Sequence, residues 1–327
     1  MTALLIAAHQ ASQPVQPWHD PSPHQVRRIA VDSSVQLEVL DWGGSGPPVV
    51  LLGCYLSAHA YDEFAPKLTQ RFHVYGISRR GIGASDRPAT GYAVQRSAND
   101  VLDVLDALKV QKALLVGTSC AGQVVTTFAA QHPDRLHGVV YLDGASDPTT
   151  TDAEFDPPMP DASSLPRPVK PHVPDYTSFA ALRSAQQRDR GWAFPEGELR
   201  FQYGANADGS VGASLLDPVV RRAITFDHRI KPDYTPIRVP VLAIYQAQRS
   251  LDEVAAGYAI RNDQERAALR QQHEATRALY SLWQRGLRAG VPTARIVNLP
   301  SDNPFMFLSN EAAILREILA FAATAVR

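Results

Sequence analysis

Apolar residues along the chain follow two rhythms that alternate. Short continuous apolar runs, VVLLGC at 49–54, ALLVG at 113–117, HGVVYLD at 137–143 and VPVLAIY at 239–245, have the pattern of strands buried on both faces. Between them, 97–110 (SANDVLDVLDALKV) sets Val101, Leu105 and Leu108 on one helical face, and 123–132 (QVVTTFAAQH) reads as helix until Pro133 stops it. At the front, 26–31 (VRRIAV) and 35–42 (VQLEVLDW) read as a strand pair joined by the turn Asp32-Ser33-Ser34. FHVYGIS at 72–78 is a further strand; after a long amphipathic stretch at 252–288, a last strand (GVPTARIVNL, 290–299) precedes a closing helix at 312–325. This order predicts an α/β fold: a mostly parallel twisted sheet with helices on both faces.

The texture changes at 145–234. Prolines crowd 157–174, and the helical patterns YTSFAALRSAQQ, PEGELRFQYG and DPVVRRAITF follow one another without apolar strands. The expected organisation is a tail at 1–25, a core made of 26–144 and 235–327, and a helical, Pro-rich cap inserted at 145–234. Within the tail, TALLIAAHQA resembles the end of a signal-peptide core with a small-residue cleavage region, which leaves both an exported and a cytoplasmic location open. QPVQPWHDPSPH at 13–24 reads as a tether.

Charge narrows the partners. With 32 basic and 33 acidic side chains in 327 residues, the chain has no global field to draw it onto nucleic acid or an anionic membrane, so a neutral or weakly polar small molecule is the expected partner. The apolar runs are too short to span a bilayer. Two cysteines without histidines at ligand spacing do not make a zinc site, and SRRGIGAS at 78–85 lacks the strand-to-helix setting of a dinucleotide loop. No cofactor or metal is therefore expected, and the oligomeric state is left open.

The candidate chemistry lies at 115–122, LVGTSCAG, where an apolar strand end runs into Ser119 between small residues. A serine on a strand-to-helix turn needs small flanks, because the turn is tight and larger side chains would meet neighbouring backbone. The alternative reading of Ser119 is an ordinary helix N-cap. Together with VVLLGCYLSAH (49–59), SRRGIGASDRP (78–88) and LSNEAAILREILAFA (308–322), this stretch resembles the α/β-hydrolase superfamily from residue 26 onward. The resemblance implies that Ser119 is the nucleophile of a G-x-S-x-G elbow, with Ala121 in place of the second glycine and Gly122 just after. It also implies an oxyanion hole built from the backbone amides of Cys120 and Tyr55.

The other two triad positions depart from the family pattern. Aligned on FLSNE, the histidine position falls on Pro304, after Asp302 and Asn303, and the usual acid position falls on Gln248-Arg249. Asp143, in YLDGA, is a second possible acid because it ends the strand that follows the nucleophile helix; the other reading is a loop-capping aspartate. Among ten histidines, His59 in LSAHAY is the one expected on a loop at the catalytic end, and it is the candidate base; His228 in TFDHR is the second choice. Cys54 and Cys120 end strands that are neighbours in such a sheet, so their sulfurs are expected close together, as buried thiols or as a disulfide. The expected function is hydrolysis of a small or medium carboxylic ester through Ser119 with an unconventional base. The alternative is a non-hydrolytic protein of the same fold, which binds a ligand or catalyses an elimination or rearrangement.

Overall fold

The structure is a computed structural model that describes residues 18–170, 172–301 and 303–326. The 2–11 segment read as a possible leader remnant lies outside the described residues, as does Asp302. Eight strands form one sheet: β1 (Gln25–Ala30), β2 (Gln36–Gly43), β3 (Pro48–Leu52), β4 (His73–Ser78), β5 (Ala113–Thr118), β6 (Leu136–Leu142), β7 (Val241–Ala247) and β8 (Arg295–Pro300). Their order is β1-β2-β4-β3-β5-β6-β7-β8. The first two ladders, β1 with β2 and β2 with β4, are antiparallel; every other pairing in the sheet is parallel.

The continuous apolar runs are explained by burial on both faces. Val50, Leu52, Leu115, Val139, Tyr141, Ala243 and Tyr245 point to one core, while Val49, Leu51, Leu114, Val116, Val140, Leu142, Leu242 and Ile244 point to the other. The first core is closed by α1 (Val94–Ala107) and α2 (Ala121–Gln131), through Val101, Val104, Val124 and Phe128. The second is closed by residues 58–68, with Tyr61, Phe64 and Leu68, and by the C-terminal helix Glu311–Ala325, with Ile314, Ile318 and Phe321. Period-two alternation between two apolar layers leaves no polar face, so the strands read as unbroken hydrophobic runs.

Between β6 and β7 the chain contributes no strand to this sheet among the described residues. It forms α3 (Phe179–Arg190), α4 (Glu196–Gln202) and α5 (Pro218–Asp227), together with two strand pairs that the sequence reading did not anticipate. Tyr203–Ala205 pairs with Val211–Ser214, and Arg167–Pro168 pairs with Tyr258–Ala259. The first is a hairpin turned at Asp208-Gly209, with Gly209 at φ 84°, where a side chain would be strained. Only Val211 of these strands is buried in the apolar core, with Tyr203 packed against it, so no hydrophobic run announces the pairs. The 252–288 stretch is likewise divided, into Leu251–Ala255 and a long helix, α6 (Asp263–Gly290).

Residues 18–24 do not behave as a tether. Ser22 donates to the Asp62 carbonyl and accepts from the Trp42 indole at 3.0 Å, and the His24 ring stands edge-on to Trp42. The polar, Pro-rich composition reflects the absence of regular structure here rather than detachment from the core.

Candidate active site

The serine turn is built by close backbone approach. Ser119 follows β5 at φ 54°, a left-handed conformation uncommon for a residue with a side chain. Its amide donates to the Leu142 carbonyl at the end of β6, and the Gly122 amide returns to its own carbonyl at 2.8 Å, starting α2. A Cβ on Gly122 would stand 1.8 Å from the Gly144 carbonyl oxygen, which makes glycine obligatory there. A Cβ on Gly117 would meet Val125 at 2.6 Å. The familiar second glycine is therefore displaced by one position: buried Ala121 fits where it is, and Gly122 carries the close contact with the loop after β6. Ser119 is not the helix N-cap; that position is Cys120. The half-buried Ser119 hydroxyl has no hydrogen-bond partner among the described residues.

Cys54 and Cys120 form a disulfide between the ends of the neighbouring strands β3 and β5. Of the two readings the sequence allowed, the bridge is the one found. The bond joins Cys120 to the residue that precedes Tyr55, and so ties together the two turns whose amides the family resemblance implies for an oxyanion hole. Arg79, buried beneath this corner, donates to the carbonyls of Gly53 and Cys54. Over it lies α5, whose Val220 and Ile224 pack with Ile82 and Tyr92 against Tyr55 and Cys120. The Tyr55 hydroxyl is 2.6 Å from Thr225 on the same helix. Beside Tyr55 opens a pocket of about 300 Å³ whose walls include Leu56, Phe194, Phe201, Leu216 and the carboxyl side chain Glu198.

Asp143 directly follows β6, whose last residue, Leu142, pairs with Thr118 beside Ser119, and it too has a left-handed backbone, φ 52°. Its carboxylate accepts from the Gln246 amide nitrogen at 3.3 Å, from Gln246 Nε2 at 2.6 Å and from the Tyr280 hydroxyl at 3.1 Å. Burial raises its pKa above the usual carboxylate range, against these hydrogen bonds. It does not cap its loop, and the position that family members reserve for their acid beyond β7 is left to Gln248 and Arg249.

His59 is not brought to Ser119. It sits in the turn Ala58–Tyr61 with its ring stacked on Phe201, Nδ1 2.9 Å from Asp20 and 3.0 Å from Asp62, and Nε2 3.5 Å from Glu38. Burial pulls its pKa down, but the three carboxylates around it, Asp62 through a hydrogen bond, outweigh burial and raise it to about 11. An imidazole that holds its proton this strongly cannot take one from a serine at neutral pH. The expectation that His59 is the base therefore meets an ion-pair cluster that the sequence did not reveal, because its carboxylates come from positions 20, 38 and 62.

His228 ends α5, buried, with Nε2 3.2 Å from Arg79. Burial and the Arg79 charge hold its pKa down to about 3. Arg79 can only donate, so Nε2 accepts and its lone pair is already engaged. At the family's histidine position, Asn303 and Ser301 bond to each other and Asn303 also bonds to Phe305, closing a turn around Pro304. Sequence reasoning missed Glu198 altogether. This carboxyl group, 1 % exposed, accepts from the Ser57 amide and hydroxyl and from Gln202, and burial pushes its pKa up to about 7. The only signal was an acidic residue on the apolar face of the 195–204 pattern.

A serine elbow of left-handed geometry at the C-terminal edge of a mostly parallel sheet defines a class of protein, and the profile of the alpha/beta hydrolase fold family matches residues 47–234. The chain belongs to that family. Among curated relatives, it is 31% identical over 123 residues to 2-(acetamidomethylene)succinate hydrolase of Mesorhizobium japonicum, a match covering 37% of this chain and 44% of the relative. It is 33% identical over 105 residues to the AB hydrolase superfamily protein YisY of Bacillus subtilis, covering 32% of this chain and 39% of that one. The matches thus span less than half of the relatives' length. Among solved structures, E-2-(acetamidomethylene)succinate hydrolase superposes with a TM-score of 0.64 at 19% identity, over 92% of this chain and 100% of that one. Est816, described as an N-acyl homoserine lactone degrading enzyme, gives 0.55 at 20% identity, over 90% and 100%. At such identities the likeness is one of fold. Among the described residues no helix is long and apolar enough to cross a membrane.

Proposed function

We propose that the chain is a serine hydrolase that cleaves a small or medium carboxylic ester by acyl transfer to Ser119. The observation that carries this reading is the strained serine elbow, with Ser119 at φ 54° and Gly122 pressed against Gly144. A left-handed serine costs free energy that a purely structural turn would avoid with glycine. The Cys120 and Tyr55 amides, tied by the disulfide, hold the oxyanion that forms when Ser119 attacks the ester carbonyl. Segment 145–234 acts as the cap: α5 closes over Tyr55, and the apolar pocket beside it receives a neutral substrate. Asp143 takes the serine proton through one bridging water, its raised pKa making it a better base than an exposed carboxylate.

A fluorophosphonate probe tests this. Labelling of the full chain is expected at Ser119, abolished in Ser119→Ala and slowed at least ~10-fold in Asp143→Asn. Because the Asp143 carboxyl is pushed upward, labelling should rise with pH as the pH climbs past the ordinary carboxylate range. The free Ser119 hydroxyl favours a second reading, a non-hydrolytic protein that uses the same pocket for binding or for an elimination. A wild-type chain that resists the probe while a neutral ligand still binds beside Tyr55 would replace the first reading with the second.

A further inference from the structure

Beneath the pocket floor, four side chains from two distant segments converge. Asp20 and His24 come from the approach to β1, and His59 and Asp62 from the turn after β3; each offers one ligand atom, and the four atoms lie within 4.8 Å of one another. Three of the side chains are almost wholly buried, with exposures of 4% for His24, 5% for His59 and 4% for Asp62. His24 Nδ1 stands 3.0 Å from Asp62 Oδ1, and His59 Nδ1 stands 2.9 Å from Asp20 Oδ2. Yet His24 Nδ1, Asp62 Oδ1 and Asp20 Oδ2 have no hydrogen bond of acceptable geometry. These polar atoms thus lie around one point without bonding one another. Leaving them unsatisfied in a buried place is costly unless something else occupies that point.

We propose that this cluster is a binding site for a divalent metal ion of the zinc type. Two imidazoles and two carboxylates are a donor set such ions accept, and four protein ligands make a closed, structural site rather than a catalytic one. Three further features of the surroundings agree. Gly197 of α4 lets the helix backbone come up against the cluster, since a Cβ there would stand 2.8 Å from Asp62 Oδ2, 2.9 Å from Asp20 Oδ2 and 3.1 Å from His59 Nδ1. Behind His59, Nε2 faces Glu38 Oε1 at 3.5 Å, and Ser78 and Ala84 hold the other Glu38 oxygen; a carboxylate behind a ligating histidine orients the ring and strengthens its basicity. The carboxylates also outnumber the imidazoles, since Glu38 and Glu198 join Asp20 and Asp62 around the two rings. A bound dication offsets two of those negative charges. It also ties the 20–24 segment to the turn after β3.

The test uses the full chain, stripped with chelator, reloaded with Zn²⁺ and dialysed. One equivalent of zinc per chain is expected by elemental analysis, and Co²⁺ in its place should give the visible absorption of a four-coordinate nitrogen and oxygen site. The double variant His24→Gln, Asp62→Asn should bind none, whereas His132→Gln should keep the full equivalent. Glu38→Gln should weaken zinc binding by roughly 10–100-fold. Affinity should climb with pH, because the metal and a proton compete for the His59 lone pair. If the wild-type chain retains no more metal than the double variant and gives no cobalt spectrum, the proposal is overturned and the cluster is a proton-sharing ion-pair network. Metal that persists in the double variant overturns it as well, as adventitious surface binding. None of these readouts depends on esterase activity, so the site and the hydrolase reading fail independently.

Discussion

Two corners meet at the C-terminal edge of the sheet, and they are made in opposite ways. The corner after β5 is local: strand, Ser119, Cys120 and α2 are contiguous, and its strain is resolved by Gly117, Gly122 and Gly144 within 28 residues. The corner after β3 is assembled from afar, since His59 meets Asp20, Glu38, Asp62 and, through Ser57, Glu198. Backbone geometry dominates the first and electrostatics the second. A local corner is specified by small residues at fixed spacing, whereas an assembled one depends on burial that no single stretch displays.

The comparison breaks most sharply at Gly122. Gly122→Ala puts a methyl group 1.8 Å from a backbone oxygen rather than from a side chain that could turn away, so the loop after β6 must move. We expect a loss of at least ~4 kcal/mol in denaturant unfolding, in the exceptional class, together with loss of probe labelling at Ser119. A variant within ~1 kcal/mol of wild type would mean that the corner is looser than its contacts indicate.

The disulfide is where the two corners are tied, and it tests whether they depend on each other. It closes a separation of 66 residues, for which the stabilisation is on the order of 2–4 kcal/mol. The paired change Cys54→Ala, Cys120→Ala should lower stability by that amount and slow labelling of Ser119, because the Tyr55 and Cys120 amides lose their fixed spacing. If stability falls while labelling is unchanged, the packing of α5 on Tyr55 and Cys120 already sets that spacing without the covalent tie.

This contrast also explains what could be read in the chain. The alternation of buried runs and amphipathic helices made the sheet legible, because Leu114, Leu115, Val116 and their counterparts are buried on both faces whatever the ligand or partner. Ser119 was legible because an elbow is a pattern within six residues. His59 was singled out for its place in the chain, yet its chemistry was misread, since a histidine's role depends on neighbours and these came from 20, 38 and 62. His24 and Asp20 were set aside with the Pro-rich tether, although the i, i+4 spacing of the two was visible. Asp143 stood at a strand end in the sequence, but its donors, Gln246 and Tyr280, arrive from β7 and α6, more than 100 residues later.

An effect confined to a narrow pH window tests the electrostatic side alone. Glu198 is buried and its pKa is raised from 4.5 to about 7, so between those values the unfolded chain releases this proton while the folded chain retains it. The folded state therefore binds more protons across that window, and its stability falls as pH rises from about 4.5 to about 7. Glu198→Gln keeps the shape and the acceptor for Ser57 but removes the titration. Its stability relative to wild type should improve as pH rises through the window, by up to roughly 3 kcal/mol at 1.36 kcal/mol per pKa unit, and should level off on either side. Ser57 keeps its acceptor in this variant and Gln202 regains a partner by turning its amide to accept, so a change that is uniform with pH would point to altered packing or hydrogen bonding rather than to charge. A flat difference between the two curves would mean that Glu198 ionises normally in the folded chain, with the positive His59 offsetting its burial. The corner after β3 would then be balanced internally, and its excess of carboxylates would not bear on stability at all.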